Sequence, residues 1–231
     1  AVERRAVTEA ARRAGAAEAQ LIEQPMAAAI GANLPINEPV GSMVIDIGGG
    51  TSESAILSLG GVVALQAVRV GSFDIDSAIT QYIRREYGIA IGEQTAEKIK
   101  ITMGSAYPTA DEFKAEVRGR ELMSGLPKTV ILSPEEVRAA IEEPVSAIID
   151  SVVACLGNAP PELAQDLIVQ GIHLVGGGGM LRGLAQRLTD ETDVQVRLVD
   201  LPLECVALGA GRCIESYEAL KVMFMEDNSR R

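Results

Sequence analysis

Residues 43–53 read MVIDIGGGTSE: an apolar run carrying Asp46, then Gly48, Gly49 and Gly50, then Thr51 and Ser52. Glycines, having no Cβ, let backbone N–H groups close on a bound anion. A carboxylate at the end of a strand can hold Mg²⁺, directly or through water. Together these residue types make one half of a phosphate clamp. A second glycine run, Gly176, Gly177, Gly178 and Gly179, closes another apolar stretch over 171–175. Both runs fall at carboxyl ends of expected strands, where open α/β sheets bind ligands.

The residues after the first run decide which kind of phosphate loop it is. Methyltransferases of the Rossmann type carry a similar D-x-G-x-G string, but a Rossmann loop opens into a helix whose N-terminus faces the ligand. Here residues 54–59 and 62–68 are two short apolar runs separated by Gly60-Gly61, which predicts a hairpin. A glycine loop between two strands resembles that of the actin-like ATPase superfamily.

The elements that must position these loops follow from periodicity and punctuation. Residues 2–14 read as a helix, with Glu9 and Arg13 at i,i+4 and Gly15 as its stop. A short strand is expected at 20–23. Pro25 then opens a helix over 26–30, as proline does at a first helical position. A loop over 33–41 leads to the strand and hairpin of 43–70. Residues 74–86 form an amphipathic helix, and helix resumes over 95–102 after a break at 88–92. Strand candidates at 113–118 and 128–132 suit a small α/β insertion. Ser133, Pro134 and Glu136 start a helix as N-cap, first position and capping-box partner. Pro144 is expected to interrupt that helix after Glu142, the pattern resuming through Leu156. Pro160-Pro161 opens a short helix; a strand over 171–175, a helix over 184–189, a strand over 194–198 and helix over 203–220 complete the order. The apolar stripe 222–225 either packs on its own protein or stands exposed, and 227–231 reads as a disordered tail.

Bulk properties narrow the class. The 231 residues suffice for one large domain or two small ones, and 47% hydrophobic content with 3% aromatics implies a core of Val, Ile, Leu and Ala. A net charge of −11 argues against nucleic-acid binding and gives no global pull toward anionic lipid. Cys155, Cys205 and Cys213 form no C-x-x-C pair, and a reduced cytosolic setting is the simplest reading. No apolar run approaches the ~18 residues of a membrane span. His173 has no Cys or acidic partner at metal-ligand spacing and reads as a packed histidine. The first helix is under way at Val2 without an initiator Met or a capping residue, so the chain is expected to be cut from something longer.

Four segments carry a closer resemblance: LIEQPMAAAIG at 21–31, DIGGGT at 46–51, GEQTAEKIK at 92–100 and LVGGGGMLRGL at 174–184. By these the chain resembles the MreB family, the bacterial actin homologues that shape rod-like cells, over essentially its whole length. The family's first phosphate loop, a D-x-G-T-x-N string, is absent, so the resemblance is to the second half of such a protein. It implies an α/β, ribonuclease H-like, actin-type ATPase fold with a small α/β subdomain inserted in one large domain. Residues 1–33 would end the first large domain; 34–70 and 150–211 would form the second, nucleotide-binding one; 71–149 would be the insertion; and 212–231 would be the C-terminal helix and tail.

The resemblance also implies roles. Asp46 would hold Mg²⁺ through water, and Gly48, Gly49, Gly50 and Thr51 would cradle the β- and γ-phosphates of ATP. Glu97 and Lys100 would bracket ribose and adenine, though i,i+3 spacing alone also suits a solvated ion-pair helix. Gly177, Gly178 and Gly179 would form the adenosine turn, with Met180 and Arg182 near the base; Arg182 suits a surface position equally. Gln24 stands where many MreB proteins have Glu and actin has Gln, and it would position the attacking water without acting as a base. The implied protein is a slow, regulatory ATPase whose filaments guide peptidoglycan synthesis with inner-membrane cell-wall elongation proteins. It would be cytoplasmic and membrane-associated as filaments, touching the membrane only through the missing N-terminal part, and this chain alone would hydrolyse ATP weakly or undetectably. The alternative is a monomeric actin-like ATPase resembling the heat-shock seventy chaperones.

Overall fold

The computed structural model describes residues 2–110 and 112–225. Its centre is β1 (Ser42–Ile47), every residue of which is buried. Being covered on both faces, it reads as a nearly continuous apolar run rather than an alternating one. β2 (Ser52–Ser58) and β3 (Gly61–Val68) follow as antiparallel neighbours, the expected hairpin. β7 (Ile172–Val175) and β8 (Val196–Leu198) add in parallel on the other side, giving the order β3-β2-β1-β7-β8.

Because side chains alternate across a strand, β1 feeds two cores. Met43, Ile45 and Ile47 face one layer, packed with α3 (Ser72–Tyr87), α5 (Pro134–Gly157) and α7 (Leu184–Thr192). Val44 faces the other, made by α2 (Gln24–Gly31) and α8 (Cys205–Glu215). Asp46 shares the parity of Val44 and so points toward α2. These two helices touch at backbone distance: a Cβ on Gly31 would lie 1.9 Å from the Cys205 carbonyl oxygen, and one on Gly209 would lie 1.8 Å from that of Ala27. Arg212 donates to the carbonyls of Ile30 and Gly31 at 2.6 and 2.9 Å, satisfying the end of α2.

The smaller sheet, β4 (Ile89–Ala90), β5 (Ala115–Glu121) and β6 (Pro127–Leu132), is antiparallel in the order β4-β5-β6. It shares the first core with α3, α4 (Glu93–Met103) and α5 through Ile89, Val117, Val130 and Leu132. α6 (Pro161–Gln170) leads into β7, α1 (Val2–Arg13) precedes α2, and the short α9 (Tyr217–Leu220) follows α8.

Two expectations need correction. Residues 20–23 form no strand: Ile22 makes one bridge, to Phe224, with too few paired neighbours for a ladder. α5 runs unbroken through Pro144, whose lost hydrogen bond is outweighed by burial of Ile141, Pro144, Val145 and Ile148 in the core. Of the two alternatives for the stripe near 222–225 the structure takes the packed one: Met223 is 7% exposed and Phe224 lies 5.5 Å, ring to ring, from Tyr217. The tail expected at 227–231 lies outside the described residues. Among the described residues, no helix is long and apolar enough to cross a membrane.

Candidate functional site

β1 and β7 are adjacent and parallel, with Asp46 opposite Val175, so both glycine runs leave the same edge of the sheet side by side. The structure thereby brings together Asp46, residues 48–51 and residues 176–179. The two turns interlock. Gly176 has φ +82°, and a Cβ there would meet Asp46 Oδ1 at 2.5 Å and the Ile47 carbonyl at 2.4 Å. Only glycine lets the second turn pass the carboxylate.

Asp46 is 3% exposed, and its Oδ2 accepts a hydrogen bond from Gln24 Nε2 at 2.7 Å. Burial pushes its carboxyl above the ordinary range, and the Gln24 bond offsets part of that. Glu53 sits directly across the β1–β2 ladder, on the same face. Its carboxyl is also raised, first by burial, then by the charges of Asp46 and Glu23. These carboxylates are held close at a cost that a divalent cation would relieve. Among the described residues there is no cluster of three or more His, Cys, Asp or Glu able to cage a metal. One or two carboxylates beside a phosphate site is the donor set Mg²⁺ uses, since it keeps several waters.

The first glycine loop presents its amides outward for a definite reason. The Gly48 and Gly49 carbonyls accept from the Ser72 and Phe73 amides of α3, at 3.0 and 2.8 Å. In a planar trans peptide the next N–H points opposite to the carbonyl. The Gly49 and Gly50 amides are therefore turned away from α3, while the Gly48 amide closes the loop on the Thr51 carbonyl at 2.9 Å. Among the described residues, the Gly49, Gly50 and Thr51 amides meet no protein acceptor. Consecutive free N–H groups of this kind form an anion nest. The loop joins two antiparallel strands, which is not the Rossmann arrangement.

Lys100 is not free on the surface of α4. Its Nζ contacts Asp76 Oδ2 at 2.8 Å and the Ser72 carbonyl at 3.2 Å, with both charged side chains less than 15% exposed. Asp76 and the Ser72 carbonyl thus tie α4 to the first two turns of α3, next to the glycine loop. Its carboxyl is raised by burial, held down by Lys100 and raised again by the nearby charge of Glu97, which itself is exposed. Sequence reasoning missed Asp76 because its partner sits on another helix, and no spacing marks such a pair.

In the second turn, Gly178 and Gly179 are buried against Ile47 and Leu174, Gly177 is exposed, and Met180 is 50% exposed at the rim of a cavity of about 460 Å³. Arg182 donates to the carbonyls of Thr102 and Gly104, completing the C-terminal end of α4 and docking it beside the second turn. His173 is half-buried, and burial pushes its pKa down.

The MreB/Mbl protein family matches residues 1–222. The cell shape-determining protein MreB of Escherichia coli K12 is 50% identical over 214 residues, which is 93% of this chain and 62% of that protein. The chain thus spans less than two thirds of the length of that relative. Crystal structures of MreB5 of Spiroplasma citri, bound to ADP or to AMPPNP, superpose with a TM-score of 0.90 at 36% identity, covering 94% of this chain and 66% of theirs. The MamK double helical filament subunit superposes at 0.69 with 23% identity, covering 84% and 58%, a likeness of fold alone.

Proposed function

The chain belongs to the MreB/Mbl family and has the actin-type fold, and from that premise we propose that it is a cell-shape-determining cytoskeletal protein that binds ATP with Mg²⁺ and assembles into filaments. The observation that carries the nucleotide reading is the convergence of two glycine turns on one buried carboxylate, Asp46, at neighbouring strand ends. The nucleotide-bound structures of a relative at 36% identity support it.

In this reading the Gly49, Gly50 and Thr51 amides receive the β- and γ-phosphates. Gly48 shapes the loop. Asp46, through water, holds Mg²⁺, which neutralises phosphate charge when bound. Gly177, Gly178, Gly179 and Met180 take the adenosine side, and Glu97 and Lys100 approach it from α4. Gln24 spends its amide N–H on Asp46, which leaves Oε1 as an acceptor for the attacking water. Residues 34–70 and 150–211 form the nucleotide-binding domain, 71–149 the inserted subdomain, 1–33 the end of the preceding domain and 212–231 the C-terminal element. Hydrolysis is slow and regulatory. The filaments lie at the inner membrane and guide peptidoglycan synthesis with the elongation proteins; the names of the relatives, cell shape-determining proteins, support the cell-shape role alone.

Titration calorimetry of ATP with Mg²⁺, on this chain and on the full-length protein, tests the reading. Binding by the full-length protein, weaker or absent in this chain, is expected. Absence of binding in both overturns the ATPase assignment.

A further inference from the structure

We propose that Phe73 is a positioning residue for the phosphate loop, its ring holding the Gly49 and Gly50 amides in the orientation that receives phosphate; this rests on the nucleotide reading above. The ring is 66% exposed and belongs to neither hydrophobic core, so packing of the fold does not account for it. It lies where a side chain of Gly49 would be: a Cβ there would stand 2.6 and 2.8 Å from two ring carbons. The amide of the same residue donates to the Gly49 carbonyl at 2.8 Å. Phe73 therefore grips Gly49 from two sides, the backbone fixing its carbonyl and the ring closing over its Cα.

No side chain from outside the loop closes over the neighbouring glycines, and Gly48 is held by backbone alone, through the Ser72 amide and the Thr51 carbonyl. A Cβ on Gly50 would meet nothing within 4 Å, and one on Gly48 would meet only Thr51 of the same loop. Three successive glycines carry more backbone freedom than any other triplet, and freedom in a binding loop is lost on binding. A lock on the middle glycine fixes the planes on both sides of it, and those planes carry the Gly49 and Gly50 N–H groups. The grip is itself anchored: Asp74 Oδ2 accepts from the Gly71 amide at 2.8 Å, and Gly71 packs so tightly that a Cβ would lie 2.5 Å from the Gly49 carbonyl oxygen. The ring is thus set by the first turn of α3.

A lock on the phosphate loop should matter to ligands with phosphates and not to the nucleoside. The test compares Phe73→Ala and Phe73→Tyr with the parent in the full-length protein, measuring affinity for ADP with Mg²⁺ and for adenosine. Phe73→Ala is expected to weaken ADP by about tenfold and adenosine by less than about twofold, with Phe73→Tyr close to the parent. The exposed position predicts thermal midpoints near the parent's for both variants. Unchanged ADP affinity in Phe73→Ala overturns the proposal alone. Equal losses for ADP and adenosine also overturn it, because they report a general structural role. A parent that binds neither removes the nucleotide reading and the proposal with it.

Discussion

Asp46 and Gln24 form a hydrogen-bonded pair built on a buried carboxylate. Burial raises the Asp46 carboxyl, so the folded chain holds a proton more tightly there than the unfolded chain does. That contribution to stability is complete below the ordinary carboxylate range and is lost as pH rises through the raised value. At neutral pH Asp46 is therefore a net burden, and Glu53 opposite it adds to the same slope. Asp46→Asn, which keeps an acceptor for Gln24, is expected to raise the thermal midpoint at pH 7 by a few degrees, to flatten the acid side of the stability profile and to abolish the Mg²⁺ dependence of ATP binding. Thermal scans across pH with parallel calorimetry check all three. Gln24→Ala is expected to slow phosphate release by about 10²-fold or more while ATP affinity shifts by less than about threefold, the split that marks a group acting on the water rather than on the nucleotide. Equal turnover in the two proteins would remove Gln24 from the chemistry.

At the scale of elements, α2 and α8 approach at backbone distance, with the Arg212 and Cys205 side chains bonding α2 carbonyls across the contact. Gly209→Ala forces a methyl against the Ala27 carbonyl and is expected to cost about 1–3 kcal/mol despite the better helix propensity of alanine. Gly211 on the same helix has open space at its Cβ, so Gly211→Ala should stabilise by up to about 1 kcal/mol. Chemical denaturation of the two variants separates a packing role from a propensity effect. The same contrast explains what could be read in the sequence. The glycine turns, the hairpin and the Ser133 capping box were legible because each depends on a residue type with few substitutes. The capping box closes as expected, Ser133 and Glu136 each bonding the other's amide. The continuity of α5 through Pro144 was not legible, because the core that outweighs the proline's defect comes from elements far along the chain. Ile22 looked like a strand because its neighbours suit one, but a strand needs a partner, and Phe224 offers a single bridge. Within the site, Asp46 and both glycine turns stood out, whereas Asp76 and the Phe73–Gly49 contact exist only once α3 has docked on the loop.

For the whole molecule, the sheet divides two cores, and the site lies at the edge where the strands of both run out. α2 carries Gln24 at its start and meets α8 at its end, so any movement of α2 against the sheet is felt by both. Cys205 and Cys213 lie buried on the α8 side of this contact, the Cys205 thiol donating to the Ala28 carbonyl at 3.3 Å, and burial raises the pKa of both. A thiol held protonated and out of reach does not react with an alkylating agent. The two cysteines are therefore a native clock on the α2–α8 contact: their alkylation rate measures how often the helices part. Nucleotide that tightens the domain should slow it, and Cys155, buried beneath β2 in the other core, supplies the reference for opening of the rest of the fold.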